Sequence, residues 1–248
     1  MAGTFAQTGF QNLSGRVAVV TGAGSGIGHA IVKEFLSADM RVFGWDIGFT
    51  AETPADAAKR AVLDVRDEAR VREEMRHVMD ECQTLDVLVN CAGIGGINRT
   101  KYLDTDTWNS MLTTHVNGTF VCTREALHTM EAKRRGKIIN VASICGITGC
   151  ECAAHYSAAK GAVIGFTKAL AREAIKRGIH VNAIAPGYVE TPLLAVLNTE
   201  QRDAILSAIP LGRFGTAAEI ASLALYLISD AANFMVGQVI SPNGGQVI

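Results

Sequence analysis

The stretch "RVAVVTGAGSGIGHAIVKEF", residues 16–35, joins an apolar run to a helical pattern through a turn holding Gly22, Gly24, Gly26 and Gly28. A glycine gives up more backbone freedom on folding than any other residue, about 0.5 to 1 kcal/mol relative to alanine in regular structure, so four in one turn ask for a purpose. The spacing is not G-x-G-x-x-G, because the sixth position from Gly22 is Ile27; it is T-G-x-x-x-G-x-G through Thr21, Gly22, Gly26 and Gly28. Between a buried strand and a helix, such a turn lies where the free N–H groups and partial positive charge of the helix start meet a phosphate. Gly22, Ser25, Gly26, Ile27 and Gly28 are therefore the expected phosphate contacts.

Outward from this turn, short Val- and Ile-rich runs recur at 16–21, 41–46, 61–65, 86–90, 137–143, 180–186 and 237–241. They lack clean alternation, as strands covered on both faces do. Between them, "IGHAIVKEFLSAD", "DEARVREEMRHVMDEC" and "AAKGAVIGFTKALAREAIKRG" place apolar residues at three- and four-residue spacing. Gly178 stops the last of these, and "TAAE" from Thr216 is a capping box that opens another. The expectation is α/β: a single Rossmann-type doubly wound parallel sheet of about seven strands with helices on both faces. No linker or repeat divides the chain, so residues 1–12 read as a flexible arm and 13–248 as one domain.

The composition excludes several functions. A chain of 248 residues with 48% apolar content can bury a substantial core, and a formal net charge of -1 offers no basic field for nucleic acid or an anionic membrane. No apolar run reaches spanning length and the start has no signal-peptide pattern, so a soluble cytoplasmic protein is expected. The six cysteines form no C-x-x-C pair and are expected as reduced thiols. Cys150, Cys152 and His155 are too few and too closely spaced for a structural zinc site, and no metal is expected.

Asp46 ends the second strand pattern, near the ~20-residue interval at which a carboxylate meets the adenosine ribose hydroxyls. A carboxylate accepts from the hydroxyls of NAD and opposes the 2'-phosphate of NADP, and Ser25, Ile47 and Gly48 supply no basic partner. NAD is the expected cofactor. Asp64, read at the end of the third strand, is placed to accept from the adenine amino group, with Val65 bordering the base.

Further along, Tyr156 and Lys160 stand one helical turn apart in "YSAAK", so both fall on one face. A neighbouring ammonium favours the phenolate, which makes the pair a candidate acid/base. Ser143, ending the fifth strand pattern at the same edge, offers a hydroxyl to a substrate oxygen.

With "TGAGSGIG", "NCAG" (90–93), "HVNGTF" around Asn117, "NVAS" ending at Ser143, "YSAAK", "APGYVETP" (185–192) and "NGG" (243–245), the chain resembles the short-chain dehydrogenase/reductase family over nearly its whole length. The resemblance implies Tyr156 as general acid/base, Ser143 orienting the carbonyl or alcohol, Lys160 lowering the tyrosine pKa and bonding the nicotinamide ribose, and Asn117 holding a water in a proton relay. It implies that Asn90, Ala92 and Gly93 line the cofactor and that Pro186, Gly187, Val189 and Thr191 frame the nicotinamide, with Thr191 on its carboxamide. Cys91 departs from the family's second asparagine, with a small expected loss of hydrogen bonding.

The expected activity is hydride transfer between NAD and a secondary alcohol or ketone of hydroxyacyl, polyol or cyclic type. Within the family, "MEAKRRGKI" and "LAREAIKRGIHVNAIAPGYVETP" are similar to 3-oxoacyl-acyl-carrier-protein reductases, in which arginines matching Arg134 and Arg177 receive the acidic carrier. Both arginines also suit helix ends for dipole reasons alone, and Asp46 weighs against NADP, so that activity is the alternative and an acyl carrier protein is not the favoured partner. A non-catalytic NAD-binding sensor or scaffold is a further alternative, weakened by the presence together of Asn117, Ser143, Tyr156 and Lys160. The substrate pocket is expected around 94–100, 144–146, 150–152, Tyr188 and 193–209, with Arg99, Glu151 and His155 as its polar candidates. The resemblance and the apolar excess through 105–130, 154–176 and the chain end point to a homotetramer.

Overall fold

The computed structural model describes residues 12–49 and 58–248. Of the arm expected at 1–12, all but Asn12 lies outside the described residues. The strands are β1 (Val17–Thr21), β2 (Arg41–Asp46), β3 (Ala58–Val62), β4 (Val87–Asn90), β5 (Gly136–Val141), β6 (Ile179–Ile184), β7 (Val189–Glu190), β8 (Gly215–Thr216) and β9 (Val239–Ile240). Seven of them form one parallel sheet in the order β3-β2-β1-β4-β5-β6-β9, and β7 pairs with β8 apart from it. The helices are α1 (Gly26–Ser37), α2 (Glu68–Cys82), α3 (Thr105–Leu112), α4 (Gly118–Lys133), α5 (Cys145–Thr148), α6 (Ala154–Ala174), α7 (Thr199–Ser207) and α8 (Ala217–Ile228).

Side chains alternate across a strand, and here both faces are covered. Ala18, Val20, Val42, Val89 and Ile139 pack with Ile31, Phe35, Ala224 and Leu227 of α1 and α8. Val19, Phe43, Trp45, Leu88, Ile138 and Val181 pack with Met75 of α2, Val121 and Ala126 of α4, and Leu170 of α6. Double coverage is what removed the two-residue periodicity from the sequence. Full burial of a large apolar side chain such as Phe35 or Trp45 stabilises by roughly 1.5–3 kcal/mol. The capping box at Thr216 and Glu219 is present, and Gly178 closes the α6 segment in the left-handed conformation.

Two expectations need correction. The third strand is β3 at Ala58–Val62, not 61–65, because it follows β2 in register from Val42↔Ala58 to Asp46↔Val62 and stops where β2 stops. As the edge strand it carries exposed Lys59 and half-buried Arg60, which disguised it. The segment 105–130 holds α3 and α4 joined by a π-helical turn, Thr113–Asn117. Finally, Cys145 and Cys150 are joined by a disulfide, with Cα atoms 5.0 Å apart, while Cys82, Cys91, Cys122 and Cys152 are free. Helix α5 and Gly149 turn the chain back on itself between the two, a pairing that spacing alone does not show. Among the described residues no helix is long and apolar enough to cross a membrane.

A buried polar chain ties the centre of the sheet to its helices. Asn90 Nδ2 donates to Thr123 Oγ1 and Asn140 Oδ1, and Asn140 Nδ2 donates to Thr167 Oγ1, each at 2.9 Å. Thr167 in turn donates to the Val163 carbonyl at 2.8 Å. Asn140→Ala leaves Asn90 and Thr167 short of partners at buried positions, so a loss of about 1–3 kcal/mol for each group left unsatisfied is expected in urea unfolding. A change within error would show that the chain contributes nothing net.

Candidate active site

The strand order reverses direction at β1 and β4, and the loops leaving them part to open a crevice at the carboxyl edge of the sheet. On one wall lies the glycine turn. Gly22 has φ +69° and its Cα faces Ala92 so closely that a Cβ would stand 2.8 Å from the Ala92 nitrogen; at Gly28 a Cβ would stand 2.0 Å from the Gly22 carbonyl oxygen. Ser25 is extended at the start of α1 and makes no side-chain cap, so the first-turn N–H groups keep their capacity for an anion. Asp46 reaches the same wall: its Oδ2 accepts from Gly24 N at 2.9 Å and its Oδ1 from Gly48 N at 3.1 Å. The residues present fit a dinucleotide, with a phosphate cradle at the helix start and a carboxylate one strand away.

Across the crevice, Thr191 meets the turn directly, its Cβ and Cγ2 each 3.3 Å from where a Gly26 Cβ would lie. Thr191 Oγ1 donates to the Val189 carbonyl at 3.2 Å, and the Pro186 carbonyl accepts from Ile144 N at 3.0 Å. Gly187 rests against Asn243, with Gly187 N bonded to the Pro242 carbonyl at 3.0 Å. Ala92 N donates to Thr21 Oγ1 at 3.1 Å. These residues therefore converge.

Others of the expected set face elsewhere. The Asn90 side chain turns inward to the buried polar chain. Asp64 lies beyond the end of β3, where Arg66 engages both carboxylate oxygens and its hydrogen bond holds the acid below the usual carboxylate range. Val65 is buried, packed on the start of α4, where a Cβ at Gly118 would lie 2.6 Å from its Cγ2.

Ser143, Tyr156 and Lys160 come together beside the crevice. Ser143 Oγ accepts from Cys145 N at 3.1 Å and also hydrogen-bonds the Tyr156 phenol, and that second bond works against the burial that pushes the phenol above its ordinary pKa. The expectation that Lys160 lowers the tyrosine pKa is not what this arrangement shows. Its ammonium donates to the Val141 carbonyl at 2.6 Å, lies 5.7 Å from the Tyr156 ring centre, and is itself pushed down to about 8 by burial. Cys91 is half-buried, and loss of water around its thiol pushes it up to about 11, so it stays protonated.

Asn117, expected in a water relay, is exposed at the last position of the π turn. The residue of that turn that faces the phenol is His115. Its ring meets Tyr156 edge-on with centres 5.5 Å apart, and its Nε2 lies 2.8 Å from the Ile94 carbonyl and 3.2 Å from Ile94 N. Gly93 is needed here because a Cβ would stand 2.3 Å from His115 Cε1. The sequence signal was a histidine in the same "HVNG" motif, two places before the asparagine.

Residues 22–246 match a family described as enoyl-(acyl carrier protein) reductase. The chain is 38% identical to a 3-oxoacyl-[acyl-carrier-protein] reductase of Vibrio harveyi over 244 residues, covering 94% of this chain and 98% of that protein. It is 37% identical to the enzyme of the same name from Escherichia coli over 242 residues, with the same coverage. The Thermotoga maritima enzyme of that name is 37% identical over 246 residues, covering 95% and 99%.

Burial, then the nearby Lys160 charge, pushes His115 from 6.5 down to about 3, against the opposing Ile94 bond. The unfolded chain thus takes up this proton first, and stability falls as pH drops from 6.5 toward 3, by up to about 1.4 kcal/mol per pH unit. Relative to its own stability at pH 7, His115→Gln is expected to lose less on acidification to about pH 4 than the parent protein, in urea titrations across pH. Parallel curves would show that His115 is not held neutral by the fold.

Proposed function

This chain belongs to the short-chain dehydrogenase/reductase family and is an oxidoreductase, and on that premise we propose that it interconverts the 3-oxo and 3-hydroxy forms of an acyl thioester with NAD as the hydride carrier. The substrate reading rests on near full-length similarity to relatives named as 3-oxoacyl-[acyl-carrier-protein] reductases. It favours the alternative that Asp46 had weighed against, and it narrows the broader secondary-alcohol reading. An exposed basic group agrees with an acidic carrier: Arg134 and Arg177 lie at neighbouring chain turns, where Arg134 Nη2 donates to the Lys176 carbonyl at 3.1 Å. The cofactor preference rests on Asp46, whose carboxylate stands at the glycine turn where a 2'-phosphate would oppose it.

A bound nicotinamide would supply the hydride chemistry at the 3-position carbon, in either direction. In reduction, Ser143 holds the carbonyl oxygen and Tyr156 hands it the phenolic proton. In oxidation the same oxygen returns its proton to the Tyr156 phenolate. The raised tyrosine pKa keeps the phenol protonated near neutral pH, which suits reduction. Lys160, its ammonium anchored on the Val141 carbonyl, would hold a ribose hydroxyl of the bound cofactor. His115 buttresses the phenol from the side.

Exposed Phe120, Phe234 and Ile248 support assembly of copies into the expected tetramer, since these apolar side chains are otherwise left in water.

Purified protein is expected to oxidise NADH in the presence of a 3-oxobutyryl thioester, and Tyr156→Phe to lower turnover by roughly 100- to 10,000-fold while NADH still binds. A Tyr156→Phe protein that keeps most of its turnover would refute the proton-transfer role. For the cofactor, fluorescence titration should show NADH binding far more tightly than NADPH, with Asp46→Ala narrowing the gap. Equal affinities in the parent protein would end the NAD assignment.

A further inference from the structure

The Cys145–Cys150 disulfide lies beside the reacting groups and has no part in the proposed chemistry. Cys145 is two residues past Ser143, and its N–H donates to Ser143 Oγ at 3.1 Å. At the other end of the bond, the Cys150 N–H donates at 3.0 Å to Oγ of Ser157, the residue after Tyr156. The cross-link therefore joins the chain leaving one reacting hydroxyl to the chain approaching the other. Between the two cysteines, α5 is a single turn of four residues, too short to hold itself in water. Its foot rests on α6, where a Cβ at Gly146 would stand 2.6 Å from the Lys160 carbonyl carbon and 2.8 Å from Gly161 N. Its tip, at Ile147, Thr148 and Gly149, is exposed.

Fold stability is a poor account of this bond. The stabilisation from a cross-link grows with the loop it closes, and these cysteines are only five positions apart. Two large apolar clusters already hold the sheet to its helices. Both cysteines are half-buried rather than enclosed, and the exposed tip lies between them. Disulfides within reach of solvent are the class that exchanges.

We propose that the Cys145–Cys150 pair is a redox modification site: the disulfide holds Ser143 and Tyr156 in place for proton transfer, and its reduction by a dithiol lowers turnover reversibly. One thiolate of the dithiol attacks a sulfur of the pair, the S–S bond breaks, and a mixed disulfide and one free cysteine thiol result. The second thiolate of the reagent then displaces the other cysteine, so the reagent leaves as a disulfide and the protein holds the two electrons and two protons as two thiols. With its outer tether gone, α5 no longer pins the Cys145 N–H on Ser143 Oγ, and the hydroxyl that bonds the phenol gains a range of positions. The two cysteines are thus positioning residues that act through Ser143, and the inference rests on the catalytic reading of Ser143 and Tyr156.

In protein purified without reductant and then denatured, iodoacetamide should label Cys145 and Cys150 only after treatment with tris(2-carboxyethyl)phosphine. Label on the pair before reduction overturns the inference. In the folded protein the same phosphine, which spares thioesters, should lower kcat for NADH-dependent reduction of a 3-oxobutyryl thioester about tenfold, the scale of one hydrogen bond, with the Kd for NADH within twofold of its oxidised value. Removing the phosphine and adding diamide should restore kcat. Cys145→Ser/Cys150→Ser should start at the kcat of the reduced parent and respond to neither reagent. An unchanged kcat in the fully reduced parent, or a loss that the double variant also shows on phosphine treatment, overturns the inference. If neither redox form reduces the thioester, the acyl-thioester reading fails and the site is judged by hydrogen exchange. Amide exchange over 143–152 should quicken at least fivefold on reduction while β5 and residues 161–174 keep their rates, and equal rates in both forms overturn the inference.

Discussion

The hydroxyl of Thr21 holds the crevice. β1 ends at this residue, and the N–H groups of Cys91 and Ala92, just past β4, find no strand partner beyond it. Thr21 Oγ1 accepts from both at 3.1 Å, satisfying donors that would otherwise be buried without a bond. The two loops can then part while their roots stay in contact, and the root contact is so close that Gly22 has no room for a side chain. From this stitch follow the direction of the glycine turn, the start of α1 and the path of the loop after β4 past His115. A strand order that reverses here is the general condition for a ligand crevice in such sheets; the hydroxyl fixes how wide its base is.

The catalytic side of the crevice is governed by dryness. Lys160, His115 and the Cys91 thiol all shift toward their neutral forms for the same first reason, loss of water. Tyr156 is likewise pushed toward its neutral form, with Ser143 opposing. Groups of this kind become responsive to whatever charge enters. A cofactor or a reacting oxygen placed among them meets little competing solvent, so each hydrogen bond to it counts for more than it would at the surface.

Much of this was legible in the sequence, and the failures share physical causes. Strands buried on both faces announced themselves as apolar runs. β3 did not, because an edge strand exposes one side and its true span "AKRAV" carries two cations. The glycine turn, Asp46, Ser143, Tyr156 and Lys160 stood out because each proposed role demands a residue type. His115 was missed because a π turn inserts an additional residue into the helical repeat, about 100° of rotation, so spacing from either flank points at the wrong side chain. Asn90 sat in the right motif, but which way its amide turned depended on Thr123 and Asn140, supplied by distant segments. The Cys145–Cys150 bond likewise depended on the path of α5 rather than on the interval between the cysteines.

The last residues of the chain carry a consequence for the order of assembly. Asn243 gathers the tail around its own side chain, accepting from Gly245 N and Val247 N and donating to the Ser241 and Val247 carbonyls. Gly187, in the loop that frames the crevice opposite the glycine turn, packs directly on that residue, and β9 completes the sheet by pairing with β6 at Ala183 and Ile184. During synthesis, β1 through β6 leave the ribosome well before the support for this loop exists. The first walls of the crevice therefore precede the last in chain order, and the loop at Gly187 gains its footing only once Asn243 and β9 are in place.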